Sequence, residues 1–221
     1  MIIYFGVYHL VKDLSVGGFI VDQNERKIFT ADPSALGLFG LAMVTFVAST
    51  QKLEWTTGTS FIIPWAIFLG ALAQVYACVN DAKKGNVFGA TAFGAYSLFW
   101  LAVAMTWMTS NGVFGEAMKA NGDIKQLGFA FLGYLIFSLY MTLASLETNK
   151  VLMVIFVLID FLFLGLSLSV IWGIEFGHVL AAWSEFFIAL VGFYGSAANV
   201  LNHTFGRVFL PVGKPLGIFK K

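Results

Sequence analysis

Charged residues in this chain are separated by long apolar stretches. Positions 33–51, 55–80, 85–115, 126–146 and 186–206 hold no Asp, Glu, Lys or Arg, and 151–174 holds one, Asp160. A membrane-crossing helix needs about 20 mostly apolar residues. Each charge placed in hydrocarbon costs about 2.5–3.5 kcal/mol on insertion scales. The windows therefore predict an all-α membrane protein with six transmembrane helices, near 33–50, 60–80, 88–109, 127–146, 151–173 and 180–200.

The first residues have a different pattern. Positions 1–10 are apolar but too short to cross a bilayer, and Lys12 and Asp13 follow. No basic segment precedes them and no small-residue cleavage point follows. They read as an N-terminal interfacial amphipathic helix rather than a signal peptide, and 21–32 reads as a polar loop. The expected organisation is a cytoplasmic N-terminal helix and loop at 1–32, a six-helix transmembrane domain at 33–200, and a cytoplasmic tail at 201–221.

Lys and Arg predict the orientation. Six spans put both termini on one side, together with Lys12, Arg26, Lys27, Lys83, Lys84, Lys150, Arg207, Lys214, Lys220 and Lys221. Lys52, Lys119 and Lys125 fall on the other side. Both termini are thus expected in the cytoplasm, with the protein in the cytoplasmic (inner) membrane.

Composition narrows the function classes. Hydrophobic residues are 59% of the chain and charged residues 11%, against roughly 45–50% and 25% in soluble domains. Membrane lipid is the expected surroundings. A net charge of +1 leaves no basic footprint for nucleic acid. Cys78 is the single cysteine, so neither an intramolecular disulfide nor a cysteine-cluster metal site is available. No phosphate-binding P-loop and no HExxH motif occurs, and His9, His178 and His203 are scattered. No enzyme activity, cofactor or metal is expected. Small residues inside the spans, among them Gly37, Gly40, Gly70, Gly192 and Gly195, predict close helix packing. The aromatics read mostly as lipid-facing and interfacial, with Trp55, Trp65, Trp107, Trp172 and Trp183 near span ends.

Three blocks carry a resemblance. Ala31-Asp32-Pro33-Ser34-Ala35-Leu36-Gly37-Leu38-Phe39-Gly40 opens the first span. Ala73-Gln74, then Lys83-Lys84-Gly85-Asn86-Val87-Phe88-Gly89-Ala90-Thr91-Ala92-Phe93 with Tyr96 and Phe99-Trp100, follows the second. Val200-Leu201-Asn202, Phe205-Gly206-Arg207 and Leu210-Pro211 close the sixth. In this order, over about 31–213, they resemble the acetate uptake transporter family, whose signature is N-P-[AV]-P-[LF]-G-L-x-[GSA]-F. Asp32 stands at the signature's Asn, Ala35 at its second Pro, Leu41 at its closing Phe, and Asn199 at an expected Glu.

The resemblance implies a homo-hexamer with a pore inside each protomer and a narrow apolar gate drawn from the first, third and fifth spans. Leu41, Tyr96 and Ile159 each lie eight residues past Pro33, Phe88 and Val151, about 12 Å deep at 1.5 Å per residue and near the midplane of a ~30 Å core. They are the expected constriction. Asp32 suits a helix N-cap and Pro33 a first helical position, and such a helix start also attracts carboxylates. Asp32, Leu36, Gln74, Asn80 and Thr91 are the expected pore-lining and substrate-binding residues, with helix-to-helix hydrogen bonding as the plainer role for the last three.

Asp160 and Glu185 stand out as acids inside spans. Asp160 reads either as a proton carrier or as a polar contact between helices or subunits, with Glu185 as a possible mate. The expected function is a channel-like transporter of acetate and related small monocarboxylates, with succinate a further candidate. The alternatives are a membrane sensor or assembly subunit with a closed pore, and a channel for ammonia or another small neutral solute.

Overall fold

The computed structural model describes residues 31–219. The expected interfacial helix and most of the 21–32 loop lie outside them. Seven helices are formed among the described residues: α1, Ser34–Lys52; α2, Ile63–Lys83; α3, Val87–Ser110; a short α4, Glu116–Ala120; α5, Ile124–Ser145; α6, Lys150–Trp172; and α7, Glu175–Phe205. All except α4 are long and apolar enough to cross a membrane, which gives the six expected spans.

Helix starts follow local chemistry. The backbone N–H of Ser34 donates to the Asp32 carboxylate at 2.9 Å, while Pro33 already has helical angles and its carbonyl accepts from Gly37. Asn86 and Asn149 cap α3 and α6, accepting from the backbone N–H of Gly89 and Leu152. Each side-chain oxygen satisfies a donor that has no partner inside its helix. Gly173 and Gly206 end α6 and α7 in the left-handed conformation, at φ 68° and 62°, which costs glycine little.

Two helices depart from their expected limits. α2 runs to Lys83, which brings Asp81 into the helix. α7 holds 31 residues, about 46 Å at 1.5 Å per residue, so its ends outreach a ~30 Å hydrocarbon core. Glu175 and Glu185 interrupt its start, and the expected span of 180–200 falls five residues short at each end. The middle of α2, Ala66–Ala73, is a π-helix, a rare widening that often marks a functional segment.

Around the bundle, α3 packs on α2, α2 on α1, α1 on α7, α7 on α6 and α6 on α5, and α5 meets α3 again. Missing side chains allow the closest approaches. A Cβ on Gly40 would run into the carbonyl oxygen of Leu69 in the π segment. On the far side, a Cβ on Gly165 would lie 2.5 Å from the Gly177 carbonyl oxygen, so α6 and the start of α7 meet backbone to backbone. Beyond α7 the chain turns back. The N–H of Leu216 donates to the Leu146 carbonyl at 2.9 Å and that of Val151 to Val212 at 3.2 Å, holding this segment against the α5–α6 connection.

Many aromatic side chains are exposed, in keeping with the mostly lipid-facing and interfacial reading, and a smaller set is not. Tyr96, Phe99, Trp100, Phe131, Phe156 and Phe163 are buried core residues, not lipid-facing ones. Phe99 sits edge-on to Phe163 and Tyr134, with ring centroids 5.1 and 4.9 Å apart. These rings fill the space between α3, α5 and α6.

Candidate functional site

α1, α3 and α6 all begin at the same end of the bundle, around one cavity of about 170 Å³. On this measure a single water needs about 10–15 Å³, so the space has room for several waters or one small solute. Its outer part is polar, with Asp32 just before α1 and Ser34 at its start, Asp81 from α2, Asn86 before α3, Asn149 before α6 and Asn199 from α7. Deeper in, the walls are Leu38, Phe93, Ile155 and Phe156, with Gln74 as the remaining amide. The ends of helices with unpaired N–H groups carry partial positive charge and favour anions.

The cavity stops at Leu41, Tyr96 and Ile159. All three also line a second cavity of about 10 Å³ on their far side, with Thr45, Phe99, Trp100, Leu162, Phe163 and Ile188. That space is at the lower limit for a single water and is almost wholly apolar. Leu41, Tyr96 and Ile159 are 7%, 5% and 3% exposed and form a partition between the two spaces. The Tyr96 hydroxyl is paired with Ser138 Oγ of α5 at 2.8 Å, and the Tyr134 hydroxyl donates to the Ala95 carbonyl.

The other expected site residues divide. Asp32 and Gln74 border the cavity, and the Gln74 amide donates to the Gly70 carbonyl at 2.8 Å. Leu36 does not border it. It is 41% exposed on the outer face of α1, and Leu38, two positions on, faces inward. Thr91 is also exposed, one turn from the inward Phe88. Asn80 is buried and donates to the carbonyl of Tyr76 in its own helix.

Asp160 and Glu185 lie apart from the cavity and from each other. Glu185, 2% exposed, accepts from Lys52 Nζ at 2.8 Å, which ties α7 to the end of α1. Lys52 also receives His178 at its backbone carbonyl, 3.0 Å away. Asp160 accepts from the Thr142 hydroxyl at 2.7 Å and lines an outer groove with Leu135, Leu139, Val157, Phe161 and Leu164. The pairing of Asp160 with Glu185 is thus replaced by two separate contacts. Sequence reading missed Asp81, Asn86 and Asn149. The asparagines stand just ahead of apolar runs, the usual place of a cap, and that signal was there to read.

These features define an all-α membrane protein whose six spans enclose a solute-sized cavity opening among three helix starts. More narrowly, the chain belongs to the GPR1/FUN34/yaaH family, whose model matches residues 16–214. It is 33% identical to the succinate-acetate/proton symporter SatP of Escherichia coli K12 over 186 residues, covering 83% of this chain and 96% of the relative. It is 29% identical to acetate permease A of Emericella nidulans, over 82% of this chain and 65% of that protein. The solved structure of the bacterial acetate channel SatP superposes with a TM-score of 0.78 at 30% identity, covering 84% of this chain and all of that one.

Proposed function

We propose that this protein is a channel-like transporter of acetate and related small monocarboxylates, with succinate as a further substrate. The solute enters among the starts of α1, α3 and α6 and crosses at Leu41, Tyr96 and Ile159. The observation that carries this reading is the shared partition. The same three side chains close the inner end of the polar-mouthed cavity and the near end of the dry one. An apolar ring of this kind gates by excluding water, and an anion crosses when it widens. Uncharged amides and helix ends attract a carboxylate without a fixed cation to trap it. The printed activities of the two relatives and the solved channel support acetate as the substrate.

The remaining parts of the reading belong with it. The excess of Lys and Arg supports a cytoplasmic location for both termini and the polar mouth, with the protein in the inner membrane. The working assembly is a homo-hexamer with one path per protomer.

The test is uptake of radiolabelled acetate by liposomes holding the purified protein, with flux through protein-free liposomes subtracted. Saturable uptake that unlabelled acetate and succinate compete away is expected. Uptake no faster than through protein-free liposomes, at any pH gradient, overturns the reading.

A further inference from the structure

Among the described residues, three acids lie within the spans and at least half-buried: Asp81, Asp160 and Glu185. Glu185 is neutralised by Lys52, and Asp160 sits in the outer groove with Thr142. Asp81 alone of the three borders the cavity. It is 2% exposed. Its Oδ1 accepts from the Asn86 amide at 3.1 Å, and the Asn86 oxygen in turn accepts from the Gly89 N–H at 3.1 Å. Both ends of that amide are committed, so the amide cannot turn to serve the other carboxylate oxygen. Asp81 Oδ2 is buried with no partner. It occupies the space over Gly89 that any Cβ there would fill.

A buried carboxylate oxygen without a donor is costly, and the cost rises when a second anion shares the space. Two close carboxylates do not both ionise; one proton is held between them. The surrounding charges are few. Asp32 at the start of α1 adds a negative charge and Lys84 beyond α2 a positive one. α3 contributes the neutral Tyr96, and α6 and α7 present Asn149 and Asn199, which carry none.

We propose that Asp81 is a substrate-binding acid. Its Oδ2 carries a proton whenever a carboxylate occupies the cavity, and donates it to the anion in an O–H···O⁻ hydrogen bond. The proton comes from hydronium or a buffer acid at the mouth, whose O–H bond breaks as the Asp81 O–H bond forms; no bond of the substrate changes. Hydrogen bonds of this charge-assisted kind are about twice as strong as neutral ones. The cavity therefore fills with an anion and a proton together, although no cation among the described residues lines it. This rests on the acetate reading above and names the group that recognises the carboxylate.

The experiment measures proton uptake when acetate is added to purified protein in weak buffer, beside the pH profile of liposome uptake. The wild type is expected to take up protons in proportion to acetate bound, and its uptake to rise toward acid pH. Asp81→Asn keeps a donor for the anion but needs no proton. It is expected to bind and pass acetate with no proton uptake and a flat pH profile. Asp160→Asn is expected to match the wild type in both measurements. Wild-type proton uptake and pH profile in Asp81→Asn overturn the proposal and leave acetate transport standing. A wild type that neither binds nor passes acetate at any pH overturns the transport reading itself. If Asp81→Asn does not fold, Asp81→Glu decides: a displaced pH profile supports the proposal, and an unmoved one overturns it.

Discussion

Leu41, like Ile159, is a partition side chain that can be trimmed without losing an aromatic ring or a hydrogen bond. Its removal joins the two cavities on the α1 side. Leu41→Ala is expected to speed acetate flux on the order of tenfold, the effect of a barrier lowered by about 1.4 kcal/mol, and to admit larger carboxylates. The same change leaves a cavity, so a lower melting temperature should accompany it. Stopped-flow flux and a thermal melt on one preparation separate the two effects. At this scale the chain was legible where depth alone decided. Leu41, Tyr96 and Ile159 lie at equal distances from their helix starts, and they meet. It was not legible where rotation about a helix axis decided. Leu36 and Leu38 differ by about 200° on a helix of 3.6 residues per turn, and only the fold shows which of them faces the cavity. Asp81 was hidden by its charge, which made it look like part of a loop.

At the scale of elements, charge-free windows located all six spans because lipid tolerates so little charge. They fell short of the start of α7 for the same reason, since Glu175 and Glu185 interrupt it. Lys52 supplies the compensation for Glu185, from 133 positions away in the chain, and no local pattern announces a partner that distant. The contact joins the last turn of α1 to α7, beside Trp55, Trp183 and Phe186, whose rings meet edge-on. Breaking a buried ion pair from one side leaves an uncompensated charge and costs about 3–5 kcal/mol, whereas replacing both partners with apolar residues is often neutral. Glu185→Leu and Lys52→Met are each expected to lower the melting temperature, and the double variant to recover most of the loss. Additive losses in the double variant would show that the pair does not act as a unit.

For the molecule as a whole, the six spans form a closed ring, and the cavity within it is a product of the ring rather than of any one helix. The near-neutral net charge of +1 is therefore uninformative about which ions are attracted. On the proposed reading, local placement of helix ends, amides and one buried acid does that work, and bulk composition averages it away. The part of the wall least visible in the sequence is Val212, which comes from beyond α7 and reaches the cavity by pairing with Val151.

That return segment bears on the timing of synthesis. All six spans are made before Val212 leaves the ribosome, and chains grow at about 5–20 residues per second. For about 0.4–1.4 s, the time to add the seven residues from Phe205 to Val212 at that rate, the growing chain has its six helices made but lacks the last piece of the cavity wall. A path finished only by its final stretch is one that an interrupted chain does not possess. A chain stopped after Gly206 is expected to insert six spans yet lose saturable, competitor-sensitive acetate uptake. Adding residues 207–221 as a separate peptide is expected to restore part of that uptake. Saturable uptake unchanged by the truncation would show that the return segment is dispensable.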